Sequence, residues 1–342
     1  MSKYSYRFDG TSFTGEQYAY RGPSSNPCRK VTGPDPIEMI SNTEWTLTGN
    51  GSYVYNNLGI RGLFSGGWCE GTEAIIHYIT IPTLGNSTFF SYLIEGRGYH
   101  AAFGSNTRGI VGGGSDYPTG SRQTIEYVTF ASLVNAKSFG NLSKAIAAIT
   151  GCSNQTRGLF FGGWDTTPTE LSSIEFVYIA TQASSQSFGN LTDTTSEAAS
   201  CSSPTRGIIM GYVGDYVTLA TNGDASPFGH LTVRRINLGA ASSSTRGIFA
   251  GGASGTFSYS IIDYFTIATT GDATNFGDLV IDRRGLTGVS SSTRGVFAGG
   301  SGYDGLTMDY VTIASAGDAK DFGTLSPSKV YLGGCSNSHG GL

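Results

Sequence analysis

The chain has 342 residues, 51 of them glycine, with 12% aromatic and only 13% charged residues, a composition of many short strands joined by small-residue turns that excludes a disordered, charge-extended polymer. The net charge is −4 and no Lys/Arg run exceeds the pairs Arg29-Lys30, Arg234-Arg235 and Arg283-Arg284, which excludes the basic footprint of a nucleic-acid binder. No apolar run reaches the roughly 18 residues of a membrane span, Met1-Ser2-Lys3-Tyr4 opens no signal peptide, and the cysteines at 28, 69, 152, 201 and 335 contain no CxxC pair, so cytoplasmic synthesis without disulfides or membrane insertion is expected.

Residues 1–57 are irregular, with β-like pieces at Tyr4–Phe8, Gln17–Tyr20 and Glu44–Thr48. From residue 58 onward the chain repeats itself, and such self-similarity decides the architecture. Ile60-Arg61-Gly62 opens the first repeat, and Thr-Arg-Gly opens the next five at Arg108, Arg157, Arg206, Arg246 and Arg294. An apolar run follows each, then Gly-Gly, except for Gly211-Tyr212 in the fourth. An acid–aromatic pair comes next: Glu126-Tyr127, Glu175-Phe176, Asp215-Tyr216, Asp263-Tyr264 and Asp309-Tyr310, with His77-Tyr78 in the first repeat. A phenylalanine closes each unit, at 90, 139, 188, 228, 276 and 322, always 13 residues past the acid or His77.

Only the interval between the Arg and the acid varies, at 16, 18, 18, 9, 17 and 15 residues. One loop per repeat therefore absorbs the length changes, while a fixed register holds the rest. Each unit reads as four short strands: a before the Arg, b from Arg to Gly-Gly, c around the alternating acid–aromatic segment, and d around the Phe. Four strands in about 47 residues is the signature of a propeller blade. Six complete repeats fill 58–325. Residues 326–342 start a seventh, since Cys335-Ser-Asn-Ser-His-Gly-Gly matches Cys152-Ser-Asn-Gln-Thr-Arg-Gly. The expectation is one all-β propeller domain over 1–342 with seven four-stranded blades, the last completed jointly by 1–57 and 326–342. Six blades with an N-terminal appendage is the alternative.

Three sets of residues are candidates for function. The repeated arginines Arg61, Arg108, Arg157, Arg206, Arg246 and Arg294 form either an anion-gripping ring or structural ties to the c–d turns, where Asp224, Asp272 and Asp318 lie; the structural reading is preferred. The repeated acids suggest acid–base chemistry, but one acid per blade is the mark of architecture. The b–c loops are the variable part and share one face, where a rigid frame usually carries its binding residues. They hold Trp68 and Glu70, Asp116 and Tyr117, Trp164 and Asp165, Phe257 and Tyr259, and Tyr303 and Asp304. Aromatic rings beside carboxylates suit sugars and protein partners; the plainer reading is that they cap blade edges. The histidines at 77, 100, 230 and 339 have no ligand spacing, so no metal, cofactor or catalytic set is assigned.

The apolar run ending in Gly-Gly, the acid–aromatic pair and the closing aromatic resemble the kelch repeat over residues 60–342, with Phe where kelch strand d usually carries Trp; Trp45 stands near that place ahead of Arg61. The wording Thr-Arg-Gly-Val-Phe-Ala-Gly-Gly and Asp-Tyr-Val-Thr-Ile-Ala is similar to kelch-like propellers in particles of tailed bacteriophages, notably those infecting marine cyanobacteria. That resemblance implies a non-enzymatic structural or adhesive virion protein: a fibre, a tail or neck attachment, or a head decoration. It further implies docking to other virion proteins, in multiple copies, after synthesis in the host cytoplasm. A lectin-like module binding host glycans is the alternative, and a propeller enzyme the second alternative.

Overall fold

The computed structural model describes residues 60–116, 120–167, 169–301 and 305–342 in full, and the backbone of five strands within residues 1–59. The chain divides into two compact units, Met1–Gly59 and Ile60–Leu342.

Ile60–Leu342 is a propeller of six four-stranded antiparallel sheets. Blade 2 shows the pattern. Strand a (Ala101–Gly104) is innermost, followed outward by b (Arg108–Gly112), c (Thr124–Thr129) and d (Lys137–Asn141). Blades 3 to 6 repeat it, and their a strands are Thr150–Ser153, Ala199–Ser202, Gly239–Ser242 and Thr287–Ser290. Blade 1 takes b, c and d from Arg61–Ser65, Ile75–Thr80 and Thr88–Tyr92, and its strand a is Gly333–Ser336. The register Gly333↔Ser65, Cys335↔Leu63 and Ser336↔Gly62 closes the ring.

The expected seventh blade is therefore absent, and the six-blade alternative is correct. The first repeat begins directly at strand b, and the segment after Phe322 supplies the strand a it lacks. The four strands of blade 1 all come from Ile60–Leu342. Their strands pair with each other in one antiparallel sheet, ordered Arg29–Val31, Gln17–Ala19, Tyr4–Arg7, Ser52–Asn56, Glu44–Leu47. Three of these were expected as β-like pieces, within a residue of their observed ends; the side chain of Trp45 lies outside the described residues.

The core is distributed. Six buried clusters fill the six gaps between neighbouring blades. Strand b is sandwiched by sheets on both faces, which explains its unbroken apolar run. The closing Phe of strand d meets the aromatic of its own strand c edge-to-face in every blade, with centroids 6.0–6.2 Å apart. The Gly after each Arg leaves room for the previous blade's strand a. A Cβ on Gly247 would lie 2.6 Å from Cys201 Sγ, and one on Gly207 would lie 2.8 Å from Cys152 Sγ.

Candidate functional site

The repeated arginines tie each blade to the next. From the first residue of strand b, the guanidinium lies over its own blade's strand-c aromatic, 3.9–5.2 Å from the ring centroid. Its tip then donates to carbonyls at the start of the following blade's c–d turn. Arg108 reaches Ile179 O (3.0 Å) and Ala180 O (2.9 Å); Arg206 reaches Ile267 O (2.9 Å) and Ala268 O (3.0 Å); Arg294 reaches Ile81 O (3.0 Å) and Pro82 O (2.9 Å). Arg61 donates to Phe130 O, Arg157 to Leu219 O (2.9 Å) and Arg246 to Ile313 O (2.9 Å). The turn acids do not answer these arginines. Asp224, Asp272 and Asp318 instead accept from backbone N–H groups of the preceding blade's strand d: Asn190, His230 and Asp278, at 2.8, 2.9 and 3.0 Å.

The strand-c acids point the opposite way, toward the preceding blade. Each sits at a β-bulge immediately after a buried residue (Ile125/Glu126 in blade 2, Ile262/Asp263 in blade 5), and the bulge re-aims the side chain. Asp215 accepts from Thr192 N (2.9 Å) and Oγ1 (2.7 Å), and Glu175 from Ser143 N (3.0 Å) and Oγ (2.5 Å). In three blades the acid also pairs with a fully buried arginine that the sequence reading passed over. These pairs are Arg97–Glu126, Arg235–Asp263 (2.9 Å) and Arg283–Asp309 (2.9 Å). The arginine lies seven residues past the closing Phe each time, a spacing that could have revealed it. At the ring closure the pattern is rewritten: Lys329 takes that position and faces His77 in place of an acid. Burial and Lys329 lower His77 to about 4, and burial lowers Lys329 to about 8.

These repeated charges all serve inter-blade contacts. The side chains that differ from blade to blade gather at the mouth of the central channel, on the b–c face. Nine residues past each closing Phe, where the connection from strand d turns down into the next strand a, stand Tyr99, Ala148, Glu197, Asn237, Gly285 and Tyr331. The five non-glycine members all have φ between 52° and 59°, and Gly285 has 68°. That left-handed region is uncommon for side-chain-bearing residues and concentrates at functional positions. A chain of backbone hydrogen bonds holds the ring. Tyr99 N donates to Tyr331 O (2.9 Å), Tyr331 N to Gly285 O (2.7 Å), Gly285 N to Asn237 O (2.9 Å), Asn237 N to Glu197 O (2.8 Å), and Glu197 N to Ala148 O (3.0 Å).

The mouth opens into a cavity of about 110 Å³ whose lining includes Tyr99, Glu197, Asn237 and Tyr331. Small residues facing the axis one layer down, among them Gly151, Ser200, Gly288 and Gly334, leave that space. A second cavity of about 50 Å³ lies deeper, beside Ser153, Ser202, Ser242, Ser290 and Ser336. His339 closes this end of the channel: Nε2–H donates to Gly104 O (2.9 Å) and Nδ1 accepts from Gly341 N (3.1 Å).

Of the expected rim residues, the structure brings Trp68 and Trp164 to the mouth. Each follows a Gly-Gly pair with φ between 57° and 96°, and each bridges to the residue before a ring member, Val330 and Ala147 respectively. Both flank Tyr99, with ring centroids 6.2 Å away, and Tyr99 stacks on Tyr331 at 3.9 Å and 18°. Opposite these rings, Asn237 Nδ2 donates to Glu197 Oε2 (2.8 Å), and burial raises the Glu197 carboxyl above its usual range.

Neither these tryptophans nor the other described rim residues line the cavity itself. Glu70 is exposed in its loop, Asp116 is paired with Arg122 at 2.8 Å, Asp165 accepts from Thr167 N (2.9 Å) and Oγ1 (2.6 Å), and Phe257 is 73% exposed on a small hairpin, where it pairs with Ser254. Tyr117, Tyr303 and Asp304 lie outside the described residues. The sequence reading also missed Tyr99, Glu197, Asn237 and Tyr331, because it sought variation in length and these vary only in kind. Among the described residues, no group of three or more His, Cys, Asp or Glu could hold a metal ion, and no helix is long and apolar enough to cross a membrane.

The sequence matches no protein-family model. A search of curated proteins likewise finds no significant relative.

Proposed function

We propose that the chain is a non-enzymatic recognition scaffold, a structural or adhesive component of a virion, with the b–c face as its contact surface. One observation carries the contact surface: the repeated charged residues are committed between blades, whereas the side chains that differ among blades converge on the b–c mouth. The virion assignment is supported by the resemblance of the repeat wording to kelch-like propellers of tailed phages, and it implies docking to other virion proteins as a fibre, tail or neck attachment, or head decoration. Gold-labelled antibody against residues 60–342, applied to particles purified from the source, should decorate them; recovery of the chain only in the particle-free fraction would overturn the virion assignment. The aromatic and carboxylate–amide groups at the mouth favour the second reading, a lectin-like module for surface glycans. An enzymatic role has no comparable support, because the acids it would use are bonded to backbone and arginine partners.

A further inference from the structure

The geometry points to a single pyranose-binding slot at the channel mouth, one that selects a neutral saccharide over an acidic one. This deepens the reading of the b–c face as the contact surface and rests on it. The argument starts from ring order. Around the axis the six left-handed positions run Tyr331, Tyr99, Ala148, Glu197, Asn237, Gly285, following the blades they precede. In a six-membered ring, Tyr331 therefore stands across from Glu197 and Tyr99 across from Asn237. The remaining opposed pair, Ala148 and Gly285, carries almost no side chain. The result is a gap walled by aromatics on one side and a carboxylate–amide pair on the other, closed at one flank by the Tyr331 ring, which lies over Gly285, and at the other by buried Ala148, and floored by the 110 Å³ cavity.

A pyranose presents the matching pair of surfaces: a C–H face that packs on an aromatic ring, and an edge of hydroxyls that donate to a carboxylate and exchange hydrogen bonds with an amide. Trp68 and Trp164, against Tyr99, widen the aromatic wall toward solvent, where a second sugar unit would lie. The polar wall is already oriented by the Asn237–Glu197 hydrogen bond, which leaves the other carboxylate oxygen, Oε1, to accept from a ligand hydroxyl. The same carboxylate repels a uronate or sialate carboxyl inside the slot, against the opposing attraction of Arg284, whose charge reaches both Glu197 and Tyr99. The backbone ring holds these side chains in place before any ligand arrives, which lowers the ordering cost of binding.

The test uses the purified chain titrated with neutral oligosaccharides (chitobiose, maltotriose, mannobiose and lactose), with digalacturonate, and with choline, followed by tryptophan fluorescence and calorimetry. At least one neutral sugar should bind with a Kd of about 1 mM or tighter, the scale of a small polar contact site, and digalacturonate should bind more weakly. Glu197→Gln should weaken the neutral sugar about tenfold through loss of a charged hydrogen bond. Asn237→Ala should also weaken the neutral sugar about tenfold by removing the amide, since alanine already holds this backbone conformation at 148. Binding of choline or digalacturonate alone, no binding by any sugar, or sugar binding indifferent to both variants would overturn the slot. Failure here with labelled particles intact would remove the saccharide while leaving the scaffold reading standing.

Discussion

His339 illustrates how one residue couples the channel to pH. Its Nδ1 accepts from Gly341 N and its Nε2–H donates to Gly104 O, so the neutral ring is fully used and a second proton has no place. Burial lowers its pKa from 6.5 to about 4. Between these values the unfolded chain binds a proton that the folded chain refuses. Stability is therefore lost as pH falls from about 6.5 toward 4, by up to about 3 kcal/mol for this group. His77 and His100, lowered to about 4 and about 3, act in the same direction. The buried carboxyls of Glu126, Glu197 and Asp309, raised by desolvation, act in the opposite one. Urea unfolding of wild type and His339→Asn at pH 7 and pH 4.5 isolates the histidine: the variant should lose less on acidification, and equal losses would contradict the assignment. None of this was legible from the four histidines as letters, since their environment comes from strands far away in sequence.

Two kinds of arginine hold the blades together, and they differ in what their loss exposes. Arg246 is partly exposed, lies over Tyr264 and donates to Ile313 O. Its change to alanine removes one carbonyl bond and one ring contact, about 1–2 kcal/mol. Arg235 is fully buried against Asp263. Arg235→Ala strands a buried carboxylate and should cost about 3–5 kcal/mol. Chemical denaturation of both variants tests that order, and a larger loss for Arg246→Ala would reverse the assignment of the two sets. The first set was readable because Thr-Arg-Gly recurs as a word. The second was obscured because blades 3 and 4 replace it with Ile146 and Thr195, satisfying their acids through Ser143 and Thr192 hydroxyls. Strand positions a to d were likewise readable, since the period fixes them. The partners of the turn aspartates were not, because a repeat shows which residues are equivalent and not which neighbouring blade they face.

At the scale of the whole molecule, the repeat spacing predicts a propeller, but the blade count depends on which segment completes the first repeat. Spacing after Phe322 predicts a strand a over Val330–Cys335, which overlaps the observed Gly333–Ser336 but starts three residues early and ends one early; the unread step was that Arg61–Ser65 is its partner. Truncation after Leu332 should therefore expose the inner edge of blade 1 and replace a sharp thermal transition with a broad one, with self-association by edge pairing. Circular dichroism and light scattering would show both, and an unchanged, sharp, monomeric melt would refute the closure. The same pairing sets an order of events at the ribosome. Ser65 meets Gly333 across 268 residues, so strands b, c and d of blade 1 emerge well before the strand a that completes them. Blades 2 to 6 can each complete from nearly contiguous chain as they appear, whereas the first must stay open until the other five have been made. Slow decoding of the stretch just before Gly333 would then prolong the interval in which a nascent chain offers the free edge of this strand b to its neighbours.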